Sequence, residues 1–161
     1  MNMMDEMGRI MALDVGAARV GIALSDPLGI IASPEGVVPA TPEAAALEQL
    51  VRLIREKEAR AVVIGLPRLT GGTEGEQARE TREFARKLRN ALPADIPMYF
   101  EDERFTTTMA RQVIRQKGGK SRNKGEKDAI AAAHILRTFL DRPPATRQPY
   151  QENARGEDDA P

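Results

Sequence analysis

Two short apolar runs on either side of a tight turn constrain this chain most. Arg9-Ile-Met-Ala-Leu-Asp14 reads as a buried strand that ends on a carboxylate. Gly16-Ala-Ala is a turn, and Val20–Ser25 is a second apolar run, close enough to pair antiparallel with the first. Gly36-Val-Val-Pro39 supplies a third strand. Beyond Pro39 the period changes. Pro42 opens a predicted helix with Leu47, Leu50, Val51 and Ile54 at i, i+3, i+4, i+7 spacing. Ala61–Ile64 is a β-branched run that stops at Gly65-Leu66-Pro67. Thr73-Glu-Gly-Glu76 has the form of a capping box, and Phe84, Ala85 and Leu88 stripe the helix it starts. Pro97–Phe100 leads a fifth strand into Glu101-Asp102-Glu103. Thr106–Lys117 reads as a helix, Gly118–Gly125 as a basic loop, and Glu126–Leu140 as an Ala-rich final helix.

This order, β β β α β α β α α, places a three-strand meander before two strands that are each reached through a helix. Right-handed crossovers extend the sheet on the far side of strand one. The expected fold is α/β: a mixed five-stranded sheet in the order 3-2-1-4-5, strand 2 antiparallel, with helices on both faces. The 161 residues suit one domain, set at residues 9–141. Residues 1–8 and 142–161 are expected as flexible tails. The latter strings Pro143, Pro144, Pro149 and Pro161 among polar residues, too little apolar surface to offset its ordering entropy.

Composition narrows the chemistry. With no Cys, thiolate metal sites and Cys nucleophiles are excluded. The single His134 leaves no site that needs two histidines. Lys+Arg 24 against Asp+Glu 24 cancel, so the chain is no generic polycation, although a local basic patch is still allowed. No apolar run approaches the ~20 residues of a membrane span, and residues 1–8 lack a leader's apolar core; a cytoplasmic protein is expected. Hydrolytic chemistry here must rest mainly on carboxylates, with a hard metal.

The carboxylates fall where such chemistry needs them. Asp14 ends strand one, and Glu101, Asp102 and Glu103 end a later parallel strand, so all reach the sheet rim where open α/β folds place ligands. Asp128 falls in the first turn of the predicted last helix, followed by Ala131, Ala132 and Ile135 on the same side. Converging carboxylates repel one another unless cations bind among them. Mg²⁺ takes carboxylate oxygens, and a pair of ions can hold the attacking water and the leaving oxygen of a phosphodiester. Strand alternation places Glu101 and Glu103 on one face and Asp102 on the other, so one set alone faces the metals. Taken singly, each acid also reads as an ordinary turn or cap residue; the joint pattern carries the weight. His134, about 240° around the helix from Asp128, points elsewhere.

Four blocks then resemble one family. They are Asp14-Val-Gly-Ala-Ala-Arg-Val-Gly-Ile-Ala-Leu-Ser-Asp26, Ile64-Gly-Leu-Pro67 followed by Gly72-Thr-Glu-Gly75, Asp102-Glu-Arg-Phe-Thr-Thr107, and Lys127-Asp-Ala-Ile-Ala-Ala-Ala-His-Ile-Leu-Arg-Thr-Phe-Leu-Asp141. In this order they are similar to the signature blocks of the YqgF/RuvX family of ribonuclease H-like nucleases. The resemblance, from Arg9 to Asp141, implies a ribonuclease H-like fold and phosphodiester hydrolysis with Mg²⁺ or Mn²⁺. It also implies a role in maturing the 5′ end of 16S pre-rRNA, with Holliday junction resolution as the alternative. The implied acidic triad is Asp14, Glu103 and Asp128, with Asp14 bridging two ions; Asp102 is the fallback for Glu103. Phe105 stands where the family usually has Leu, and Leu69-Thr70-Gly71 replaces its more common Asn-Met-Asp loop.

Nucleic acid is the expected partner, as structured RNA or branched DNA, extending to ribosomal precursor particles. Lys117, Lys120, Arg122, Lys124 and Lys127 crowd a short Gly-containing stretch and suit phosphates. Arg19 and Arg104 lie within signature blocks and either grip a phosphate or pair with an acid such as Asp26 or Glu103. Aromatics are only 4%, so recognition is expected through backbone and shape rather than base stacking. A monomer or weak dimer is expected. Two rivals stand beside the nuclease: an actin-like ATPase or sugar kinase, whose Asp-x-Gly turn the first block also resembles but for which the chain lacks a second lobe, and a non-enzymatic nucleic-acid-binding assembly factor.

Overall fold

A computed structural model of the chain describes residues 8–68, 74–103 and 124–151. Strands β1 (Arg9–Val15), β2 (Arg19–Ser25) and β3 (Ala32–Pro39) precede helix α1 (Glu43–Glu56). Strand β4 (Ala59–Leu66), helix α2 (Glu76–Ala91), strand β5 (Met98–Asp102) and helix α3 (Lys124–Asp141) follow. A short 3-10 turn (Pro144–Thr146) then leads to strand β6 (Gln148–Pro149). The sheet order is β3-β2-β1-β4-β5-β6. β1 pairs antiparallel with β2 and parallel with β4, and β4 pairs parallel with β5. The expected 3-2-1-4-5 order is present, with one strand more than the sequence suggested.

Strand alternation divides the core into two layers. Met11, Leu13, Val20, Ile22, Val62, Ile64 and Leu66 pack with the apolar stripes of α1 (Leu50, Ile54) and α2 (Phe84, Leu88). The intervening residues Ala12, Ala23 and Val63 face the other way, against Ala132, Ile135, Leu136 and Phe139 of α3. Ala12 and Ala23 keep the middle of this face low, and α3 settles close to it. By the same alternation Asp14, two places beyond Ala12, lies on the α3 face.

The C-terminal segment is the main correction. Residues 142–150, expected as the start of a flexible tail, fold against the sheet. Tyr99 and Phe100 of β5 pair with Pro149 and Gln148 of β6, and the Tyr150 ring stands 5.8 Å from that of Phe100. The Arg147 guanidinium lies over Phe139 at 4.3 Å. Proline density suggested disorder, yet Pro143 and Pro144 only set a turn, while two side chains, Arg142 and Tyr150, supply the anchorage. The tail beyond residue 151 lies outside the described residues.

Boundaries shift elsewhere. β3 starts at Ala32 and β4 covers Ala59–Leu66, both longer than the apolar runs implied. α2 begins at Glu76 with Gly75 at its N-cap; Thr73, the expected capping residue, lies outside the described residues. α3 is described from Lys124, ahead of the expected Glu126, so Asp128 stands beyond the first turn of the helix. The predicted helix Thr106–Lys117 and most of the basic loop Gly118–Gly125 lie outside the described residues.

Candidate active site

The parallel strands β1, β4 and β5 end on one rim, and there two acids meet across the strand between them. Register places Leu13 beside Ile64, and Gly65 beside Glu101, so Asp14 and Glu103 flank the end of β4 from opposite sides. The backbone N–H of Glu103 donates to the Leu66 carbonyl at 3.2 Å, which carries the sheet one bond beyond β5. Gly65 presents no side chain on this face. A Cβ there would press on Ile135 and stand 3.0 Å from the Glu103 carboxyl carbon. The two carboxyls meet in that space and share a hydrogen bond.

Electrostatics follow from the proximity. Burial pushes the Asp14 carboxyl up to about 6, and the Asp128 charge adds to the rise while the bond from Glu103 opposes it. Burial pushes Glu103 up further, to about 9, with the Asp14 charge and the shared bond acting the same way. Both carboxyls are pushed up because two desolvated acids in contact favour a proton shared between them. A proton there does what a cation would do, relieving the repulsion of two desolvated carboxylates.

Asp128 completes the group from the helix side. Gly21 of β2 stands opposite Asp14, and the α3 backbone rests on it. A Cβ at Gly21 would lie 2.5 Å from the Asp128 carbonyl carbon, so this glycine sets how near α3 comes. Arg19, two places along β2 on the same face, donates from Nε to Asp128 Oδ2 at 2.6 Å. Both side chains are about one-third exposed (31% and 29%). Asp128 thus raises the Asp14 carboxyl by its charge but is itself held by a guanidinium. Among the described residues no three acids or histidines close into a ready-made metal cage.

The neighbouring acids are accounted for otherwise. Asp102 points to the opposite face and accepts from Arg68 Nε at 2.9 Å; Arg68 also bonds Glu74, which takes two bonds from Arg82. Alternation correctly separates Asp102 from Glu103. Glu101 shares the Glu103 face but is 2% exposed and clamped by Arg142, Nε to Oε1 at 2.9 Å and Nη2 to Oε2 at 2.7 Å. His134 is partly buried, which lowers its pKa, and among the described residues its side chain makes no hydrogen bond.

The family model described as "RuvX: Holliday junction resolvase" matches residues 8–142. The chain belongs to the RuvX family. A relative from Sulfurihydrogenibium sp. (strain YO3AOP1), named "Putative pre-16S rRNA nuclease", is 43% identical over 137 residues, covering 84% of this chain and 92% of its own. One of the same name from Roseiflexus sp. (strain RS-1) is 43% identical over 140 residues, covering 86% and 98%. The solved structure "T. thermophilus RuvC in complex with Holliday junction substrate" superposes with a TM-score of 0.53 at 14% identity, over 89% of this chain and 99% of that one. That likeness establishes the ribonuclease H-like fold.

Membership makes this RuvX chain a nuclease, a hydrolase of phosphodiester bonds, and the acidic rim its candidate centre. The donor set fits a hard divalent cation: desolvated carboxylate oxygens from two strands, already close enough to need a shared proton, and a third carboxylate within electrostatic reach. Of the expected nucleic-acid contacts, Arg19, Lys124 and Lys127 are described. The two lysines are exposed at the start of α3, beside Asp128. Arg104, Lys117, Lys120 and Arg122 lie outside the described residues, as do Phe105 and the 69–71 loop. Sequence reasoning missed Gly21 and Gly65, whose absent side chains make room for the site. Isolated glycines inside apolar strand runs were the available signal. It also missed that Arg19 pairs with Asp128 rather than with Asp26 or Glu103.

Proposed function

We propose that this chain is a divalent-metal-dependent nuclease that trims structured RNA at the 5′ end of precursor 16S rRNA. The meeting of the Asp14 and Glu103 carboxyls over Gly65, with Asp128 alongside, carries this reading. On it, Asp14 and Glu103 are the primary ligands for Mg²⁺ or Mn²⁺, and Asp128 is the third. A bound ion supplies positive charge that polarises a phosphoryl oxygen and makes a water more acidic. The chain's own groups hold that charge at the rim, and α3 excludes solvent from the sheet side of Asp14. Lys124 and Lys127 sit where phosphates of an incoming strand are neutralised; such contacts position without reading sequence. The names of the two relatives favour precursor 16S rRNA as substrate, and precursor particles in the cytoplasm are the place of work this reading implies.

Branched DNA is the second reading, favoured by the description of the matching family model. One experiment separates the readings: wild type and Asp14→Asn, each with Mg²⁺, on a precursor 16S 5′ leader transcript and on a four-way DNA junction. The proposal expects metal-dependent cleavage of the transcript that vanishes in the variant. Junction cleavage alone favours the resolvase, and no cleavage of either favours a binding factor.

A further inference from the structure

Arg19 occupies a position no simple account of a phosphate-binding arginine explains. Its Nε is committed to Asp128 Oδ2 at 2.6 Å, on the very carboxylate a divalent ion at this rim requires. Among the described residues its Nη1 and Nη2 make no hydrogen bond, so half of the guanidinium fork stays open at a site that is one-third exposed. Both partners stand on elements that pack directly together. Arg19 opens β2 directly after a turn closed by the Gly16 N–H to Arg19 carbonyl bond of 2.9 Å, and α3 rests on Gly21.

We infer that Arg19 is a positioning residue that withholds Asp128 from the ion and releases it when a substrate phosphate takes the guanidinium fork. The inference rests on the carboxylate rim being a metal centre. A phosphate is a bidentate partner for Arg, whereas Asp128 uses Nε alone, so the exchange gains a hydrogen bond and frees a carboxylate in one step. Ion and substrate then bind with positive coupling, because each favours the state in which the Arg19–Asp128 pair is open. The consequence is protection: without nucleic acid the third ligand is engaged elsewhere, and the ion is held loosely.

The test is calorimetric Mn²⁺ binding to the full-length protein without nucleic acid, for wild type, Arg19→Gln, Arg19→Lys and Asp14→Asn, with thermal melts to verify folding. Cleavage with saturating Mg²⁺ is measured beside it. The inference expects Arg19→Gln to bind Mn²⁺ about tenfold more tightly, within the usual range of such couplings, while its cleavage rate falls. Arg19→Lys, a point charge without the fork, falls between on both. A purely structural role for Arg19 moves both quantities down together, so Mn²⁺ binding to folded Arg19→Gln that is equal to wild type or weaker overturns the inference. If wild-type Mn²⁺ binding is not abolished in Asp14→Asn, the metal reading of the rim fails first, and the inference with it.

Discussion

The carboxyls of Asp14 and Glu103 share a hydrogen bond across the end of β4, in space left by the missing side chain of Gly65. Two acids that would each be charged in water thus share one proton. The predictions below follow from that pair and from the elements that hold it.

Stability of the metal-free protein should fall as pH rises. Both acids have folded-state pKa values above their ordinary ones, so the folded state keeps protons that the unfolded chain releases. Their contribution is complete below about pH 4 and is lost as pH rises through about 6 for Asp14 and about 9 for Glu103. Melting in chelator should show a declining midpoint between pH 5 and 9, and Mn²⁺ should reverse the decline. Calorimetry in buffers of different ionisation enthalpy should show proton release on Mn²⁺ binding.

Asp14→Asn should trade activity for stability. Loss of an anionic ligand is expected to slow cleavage at least about a hundredfold, a barrier change of about 2.7 kcal/mol. Removing one of two repelling acids should leave the metal-free melting temperature unchanged or higher. A variant that melts well below wild type without metal would mean that Asp14 is chiefly a structural residue.

Gly21→Ala and Gly65→Ala should both be destabilising, and unequally. At Gly65 the clash falls on the movable ends of Ile135 and Glu103, so a cost of about 1–3 kcal/mol is expected. At Gly21 it falls on the α3 backbone at Asp128, which must shift as a unit, and the cost should be larger. Urea unfolding of the two variants orders them.

Glu101 should matter for folding and not for chemistry. Arg142→Ala leaves a buried carboxylate unpaired and should cost about 3–5 kcal/mol. Glu101→Gln retains a hydrogen-bonding partner and should cost less, with cleavage near wild type below its melting temperature. A Glu101→Gln protein that folds but does not cleave would move Glu101 into the site.

Much of this was legible in the sequence. A carboxylate closing an apolar run, Asp14, placed itself, and alternation assigned Glu103 and Asp102 to opposite faces, as the Arg68–Asp102 bond bears out. The sheet order followed from connection lengths and crossover handedness. What was not legible depended on single long-range partners. Arg19 finds Asp128 only once Gly21 has let α3 approach, and no local pattern encodes that distance. The docking of residues 142–150 rests on Arg142 reaching Glu101, a buried pair that local composition cannot reveal. Asp128 lies beyond the first turn because the helix already includes Lys124 and Gly125, neither of which carries a helix signal in the sequence.

The most direct test is a crystal structure of the full chain with Mn²⁺, located by its anomalous signal. The account predicts a peak about 2.1 Å from carboxylate oxygens of both Asp14 and Glu103, with their mutual hydrogen bond broken. A peak elsewhere, or an intact Asp14–Glu103 bond under saturating Mn²⁺, would contradict it.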